Sequence, residues 1–155
     1  MPRTTLAQLR AQQANSLGYL LLRCGQRWSE LGLAAVNTEA GAPILREAHT
    51  RLLPHLQEPG GIRITALAQK LGVTKQAVAP LVAELAALGL VRVTKDPRDA
   101  RARRVVLTPF GVDALLHGTR MLHHMEAVMV TPHLGKRDTA ALKGLLARLL
   151  AVLEA

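Results

Sequence analysis

The stretch Leu67-Ala68-Gln69-Lys70-Leu71-Gly72-Val73-Thr74-Lys75-Gln76-Ala77-Val78 decides the fold. A helical run ends at a glycine, the residue that most easily closes a helix C-terminus. A short turn follows. Then comes a threonine whose hydroxyl suits the N-cap of a second helix. This is the spacing of a helix-turn-helix, a motif whose second helix enters the DNA major groove. The second helix is expected over Lys75 to Leu88, stopping at Gly89. Its 3.6-residue phase puts Val78, Leu81, Val82 and Leu85 on a buried stripe. Lys75, Gln76, Ala79, Pro80 and Ala83 then face outward. Lysine reaches a phosphate or a guanine edge, glutamine pairs with adenine, and small residues at 79 and 83 allow close approach to the bases. Pro80 lacks the N–H that would bond the carbonyl of Gln76, so a distortion near the first turn is expected.

Working outward, Ile64 to Leu71 reads as a short helix with Thr65 as its N-cap. After Gly89, Leu90 to Thr94 alternates as a strand. Lys95 to Arg101 is turn-like, opening on Asp96-Pro97, and Ala102 to Leu107 alternates again. Two strands and a charged turn make a β-hairpin. It carries Arg92, Lys95, Arg98, Arg101, Arg103 and Arg104 against Asp96 and Asp99. Alone, such a hairpin is as well explained by solvation of its charges. Beside a recognition helix, it is suited to laying arginine on phosphates or in the narrow minor groove. The candidate DNA contacts are therefore Thr74, Lys75, Gln76 and Ala79 on the helix, with those six cations on the hairpin. The DNA-binding region spans residues 62–108.

Leucine-rich helices flank this piece. Leu6 to Leu31 shows one amphipathic period, through Leu9, Leu17, Leu20, Leu21, Cys24 and Trp28. Ile44 to Leu56 reads as a second helix. Thr108-Pro109 is a strong start signal for a long helix to about Val130. Thr131-Pro132 or Gly135 breaks it, and Lys136 to Leu153 is the last helix. Helices this apolar must bury their stripes against each other or a second subunit. Residues 6–35 and 109–155 are accordingly the expected dimerisation helices of one 155-residue subunit. The fold class is mainly α with a small β-hairpin: a winged helix-turn-helix with N- and C-terminal dimerisation helices.

The bulk composition agrees. Hydrophobic residues make up 49% and aromatics only 2%, so the core is mostly Leu, Ala and Val, which favours helix. A net charge of +9 points to a polyanionic partner, nucleic acid before an anionic membrane surface. One cysteine forms no internal disulfide. Met1 to Arg10 contains no apolar signal region, and no run of about 18 apolar residues suggests a membrane span. A cytoplasmic location follows by elimination.

The wing text Asp96-Pro97-Arg98-Asp99-Ala100-Arg101, running on to Val105-Val106-Leu107-Thr108-Pro109-Phe110-Gly111, resembles the MarR family of bacterial regulators. So do Gly72 to Val78, Leu88 to Val91, and His49-Thr50-Arg51-Leu52-Leu53-Pro54-His55-Leu56. The likeness runs from about Leu17 to the end. It implies a homodimer on a palindromic operator of double-stranded DNA, acting as a repressor released by a small-molecule effector. It also implies that Thr74, Lys75 and Gln76 sit at the major groove and Arg101 in the minor groove, braced by Asp96 or Asp99. Ala100 departs from the arginine or glycine of many members, and Arg103 and Arg104 are candidates to replace that charge.

Cys24, with Arg23 and Arg27 nearby, is a candidate redox sensor, but a buried core cysteine is the commoner case. His49 and His55 are candidates to border an effector cleft. His117 and His124 lie seven apart on the long helix, too far for one metal ion without a third helix; His123 lies on the same helix and His133 just beyond it. No metal or cofactor is expected. With no phosphate loop and no nucleophile elbow, neither is an enzyme. The competing function is a non-specific architectural nucleic-acid protein, which the same charge would serve.

Overall fold

The computed structural model of the protein describes residues 5–39 and 41–154. The backbone forms two compact units, Met1–Ala114 and Leu115–Ala155.

The first unit opens with two helices where one was expected over Leu6 to Leu31. Helix α1 covers Leu6–Ala14 and α2 covers Leu17–Asn37. The break falls at Asn15-Ser16 because serine favours a cap over a helix interior. The Ser16 hydroxyl accepts from the Tyr19 N–H at 3.3 Å and starts α2 afresh. The expected helix over Ile44 to Leu56 is likewise reduced, to α3 (Glu47–Thr50) and a 3₁₀ turn (Leu53–Leu56). Two causes are visible. The Asn37 side chain takes both backbone groups of Leu45, each at 2.8 Å, and holds that residue outside a helix. Further on, Pro54 cannot donate to the Thr50 carbonyl, which ends the α-helical run.

A short strand that the sequence reading did not include, β1 (Ile62–Arg63), leads straight into α4 (Ile64–Lys70). Arg63 is the N-cap by backbone geometry and makes no side-chain cap, so the expected capping role of Thr65 is not observed. Helix α5 covers Lys75–Ala87, followed by β2 (Val91–Asp96) and β3 (Asp99–Leu107). The sheet order is β1-β3-β2, all antiparallel, with Ile62 opposite Val105 and Val93 also opposite Val105. The turn is tighter than the expected Lys95 to Arg101. Asp96 already faces Asp99, with a bulge between Lys95 and Asp96, so only Pro97 and Arg98 lie between the strands. The Asp96 carboxylate accepts from the Arg98 N–H at 2.8 Å, a side-chain mimic of a backbone turn.

The core of this unit gathers Leu52, Leu56, Ile62, Leu67, Val78, Val82, Leu85, Leu90, Val91 and Val105. Each such side chain contributes about 1.5–3 kcal/mol by leaving water. The hairpin and both helices of the helix-turn-helix thus rest on one apolar cluster. Helix α6 (Pro109–Met125) starts at the expected place. The Thr108 hydroxyl accepts from the Gly111 N–H at 2.9 Å and donates to the Gly89 carbonyl at 2.6 Å.

In the second unit, the end of α6 passes into a π-helical turn (Glu126–Val130) and then α7 (Thr131–Leu153). Gly135 interrupts α7 with φ 79° and ψ 159°, one of the two break points expected. Beyond it the helix runs to Leu153 with Leu142, Leu145, Leu146, Leu150 and Leu153 exposed. No helix among the described residues is long and apolar enough to cross a membrane.

Candidate nucleic-acid interface

The helix-turn-helix forms as the quoted stretch requires. Gly72 takes φ 65°, a left-handed conformation costly for other residues. Its N–H donates to the Gln69 carbonyl at 3.1 Å and the next N–H, of Val73, reaches the Ala68 carbonyl at 3.0 Å, which satisfies the end of α4. The Thr74 hydroxyl then accepts from the Ala77 N–H at 3.2 Å and caps α5. The phase reading of α5 is accurate. Val78, Val82 and Leu85 are buried, Leu81 lies half-buried at the edge, and Lys75, Gln76, Ala79, Pro80 and Ala83 are exposed.

Sequence reasoning missed Glu84, on the same helix. Its carboxylate accepts from the Arg46 guanidinium and lies 2.8 Å from His49 Nε2. Nδ1 of His49 accepts from the Arg46 N–H at 3.2 Å, so in the neutral ring the proton sits on Nε2 and donates to Glu84. The Arg46 guanidinium, and then His49, hold the Glu84 carboxyl below its ordinary value. His49 is therefore buried and bonded within the single chain. His55 is half-buried on the 3₁₀ turn. Glu84 lies 35 positions from His49, and nothing in the local pattern links them.

On the wing, Arg92, Lys95, Arg98, Arg101 and Arg103 are all exposed. Arg103 curls back, donating to the carbonyls of Ala100 at 3.0 Å and Ala102 at 3.3 Å. Asp99 accepts from the Arg101 backbone N–H at 3.0 Å, so it braces the main chain of Arg101 and leaves the guanidinium free to project. Arg104 differs. It turns inward to the Gly61 carbonyl and, at 3.4 Å, to Asp96. The Asp96 side chain is fully buried and also accepts from Arg63 Nε at 2.8 Å. The Arg63 hydrogen bond, then that of the Arg98 N–H, holds the Asp96 carboxyl far below the usual carboxylate range. Asp96 is thus occupied by Arg63 and Arg104 and does not touch Arg101. The charge of Arg104 is largely answered inside the protein, so of the two candidates to replace a charge at Ala100 only Arg103 stays at the surface.

The remaining candidates are spread out. Cys24 is exposed on α2, which removes the buried-core alternative within the single chain. His123, His124 and His133 are exposed and His117 half-buried. Among the described residues no three His, Cys, Asp or Glu side chains gather to hold a metal ion.

Comparison with known proteins follows the same outline. Residues 45–102 match the MarR family model. No curated protein sequence matches the chain. Among solved structures, the transcriptional repressor CouR bound to a 23-mer DNA duplex is 25% identical, with 96% of this chain and 99% of that chain covered and a TM-score of 0.66. Wild-type apo MarR from E. coli is 22% identical over 87% of this chain and 96% of its own, with a TM-score of 0.72. The PcaV transcriptional regulator from Streptomyces coelicolor, in complex with its natural ligand, is 22% identical over 97% and 98%, with a TM-score of 0.60. The capped recognition helix, the basic wing, the match of residues 45–102 to the MarR family model and the end-to-end fold likeness show a winged helix-turn-helix of the MarR fold and support a transcription regulator of that family.

Proposed function

We propose that the chain is a homodimeric, cytoplasmic repressor that binds a palindromic operator and is released by a small-molecule effector. The observation that carries this reading is the sharing of one core by two exposed, cation-bearing elements, the start of α5 and the β2–β3 wing. Thr74, Lys75, Gln76 and Ala79 are assigned to the major groove. Arg92, Lys95, Arg98, Arg101 and Arg103 are assigned to the backbone and minor groove, with Arg101 foremost. Arg104, first counted with them, is assigned to holding the wing through Asp96. The solved complex of CouR with DNA supports the partner. That of PcaV with its natural ligand supports effector control. The dimer is supported by the exposed leucines of α2 and α7, including Leu17, Leu20, Leu145 and Leu150, which a lone chain would leave in water.

Selection of bound duplexes from a random pool at moderate salt tests the proposal. An enriched palindrome with half-sites about one helical turn apart is the expected result. Retained binding with no enriched sequence would favour the architectural alternative, in which phosphate neutralisation supplies all the affinity.

A further inference from the structure

Helix α5 rests on the core through Val78, Val82 and Leu85. Apolar contacts set which face of α5 is buried but are non-directional and supply no bond of fixed direction. Glu84 stands one turn beyond Pro80. It is the only charged side chain of α5 with a partner outside the helix among the described residues, and both partners, Arg46 and His49, belong to the α3 segment. His49 is itself fixed, buried and with both ring nitrogens bonded. The result is a directional, charge-assisted attachment at a defined azimuth of the helix.

We propose that Glu84 is a positioning residue for DNA recognition, setting the rotation of α5 through Arg46 and His49 so that Lys75 and Gln76 meet base edges in register. The inference rests on the DNA-binding reading above and adds a role for residues that do not reach the bases.

The test compares Glu84→Ala, Glu84→Gln, Arg46→Ala and the double variant Arg46→Ala/Glu84→Ala. Binding to the selected operator and to a random duplex is measured by fluorescence anisotropy across a salt series. Melting is followed by circular dichroism to correct for folded fraction. Glu84→Ala should lower discrimination between the two duplexes on the order of tenfold. Glu84→Gln should fall between, because it still accepts from His49 but loses the ion pair. The double variant should discriminate no worse than Glu84→Ala. Unchanged discrimination in folded Glu84→Ala, whatever its melting temperature, would overturn the proposal and leave a structural clamp. An Arg46→Ala effect that is equal on both duplexes and adds fully to that of Glu84→Ala would also overturn it, making Arg46 a phosphate contact instead. If the wild-type protein shows no discrimination at all, the DNA-recognition reading itself fails, and this inference with it.

Discussion

Replacing Arg101 and Arg104 separately with alanine should produce opposite phenotypes, although the two lie three residues apart on one strand. The Arg101 side chain is exposed, and its backbone N–H is held by Asp99. Truncation leaves that bond intact, so the melting temperature should not move. On the proposed operator, the proposed dimer would lose one groove arginine per subunit. Such a contact is worth about 1–3 kcal/mol, so two wings lose about 2 kcal/mol or more, roughly 30-fold in affinity at the least. The slope of log affinity against log salt should become shallower by about 1.8, at about 0.9 for each of the two lost charges. Arg104→Ala should do the reverse. It strips one partner from the buried Asp96 carboxylate and the donor from the Gly61 carbonyl. Melting temperature should fall, while the salt slope of the folded fraction stays within about 0.3 of wild type. Anisotropy at several salt concentrations, beside thermal melts followed by circular dichroism, reads both quantities. A normal affinity and slope for Arg101→Ala would remove the wing tip from the interface. A normal melting temperature with a reduced slope for Arg104→Ala would refute the division of the wing into structural and DNA-facing cations.

Three further outcomes are expected. Thr74→Ala removes the cap of α5 and should cost about 1 kcal/mol in urea denaturation. Its operator affinity should also fall, because the capped turn carries Lys75 and Gln76. In acid, Glu84 and Asp96 are held below their ordinary values of 4.5 and 3.8. The unfolded chain therefore takes up protons first, and the stability these groups supply is complete above their unfolded values and drains away as pH falls through the folded ones. Melting temperature should fall as pH drops below about 4.5, and Asp96→Asn should flatten the part of that fall below 3.8. Deleting the residues after Arg137 should give monomers or insoluble protein in size-exclusion chromatography with light scattering, because it removes every leucine of α7 beyond Leu134. A soluble dimer would place the interface elsewhere.

What the sequence revealed and what it hid divide along the range of the interactions. The turn at Gly72, the cap at Thr74, the burial phase of α5 and the start of α6 at Thr108-Pro109 are set by residues within a few positions of one another. All four are found where the pattern puts them. Strand β1 was invisible because two residues carry no alternation, and its pairing with β3 spans about 40 positions. The early end of α3 was legible in principle, since Pro54 stood in view. The hold of Asn37 on Leu45 was not, because nothing marks a side chain that reaches across a loop. On the candidate interface, counting cations showed where charge accumulates and not which way each arginine turns. Arg103 and Arg104 are neighbours of the same type. One lies on the surface of its own strand and the other points to a carboxylate, a difference that follows from β-strand alternation once the register with Arg63 is known. Glu84 was missed for a similar reason, since its partners approach from another helix.

Arg63 ends β1, caps α4 by its backbone and donates to Asp96, the last residue of β2, beside the hairpin turn. One residue thus joins the start of the helix-turn-helix to the turn end of the hairpin. On the proposed DNA-binding reading, the span from recognition helix to wing tip would act as the opening of a caliper. A site with one base pair inserted between the two proposed contacts should then bind more weakly even with every contacted base intact.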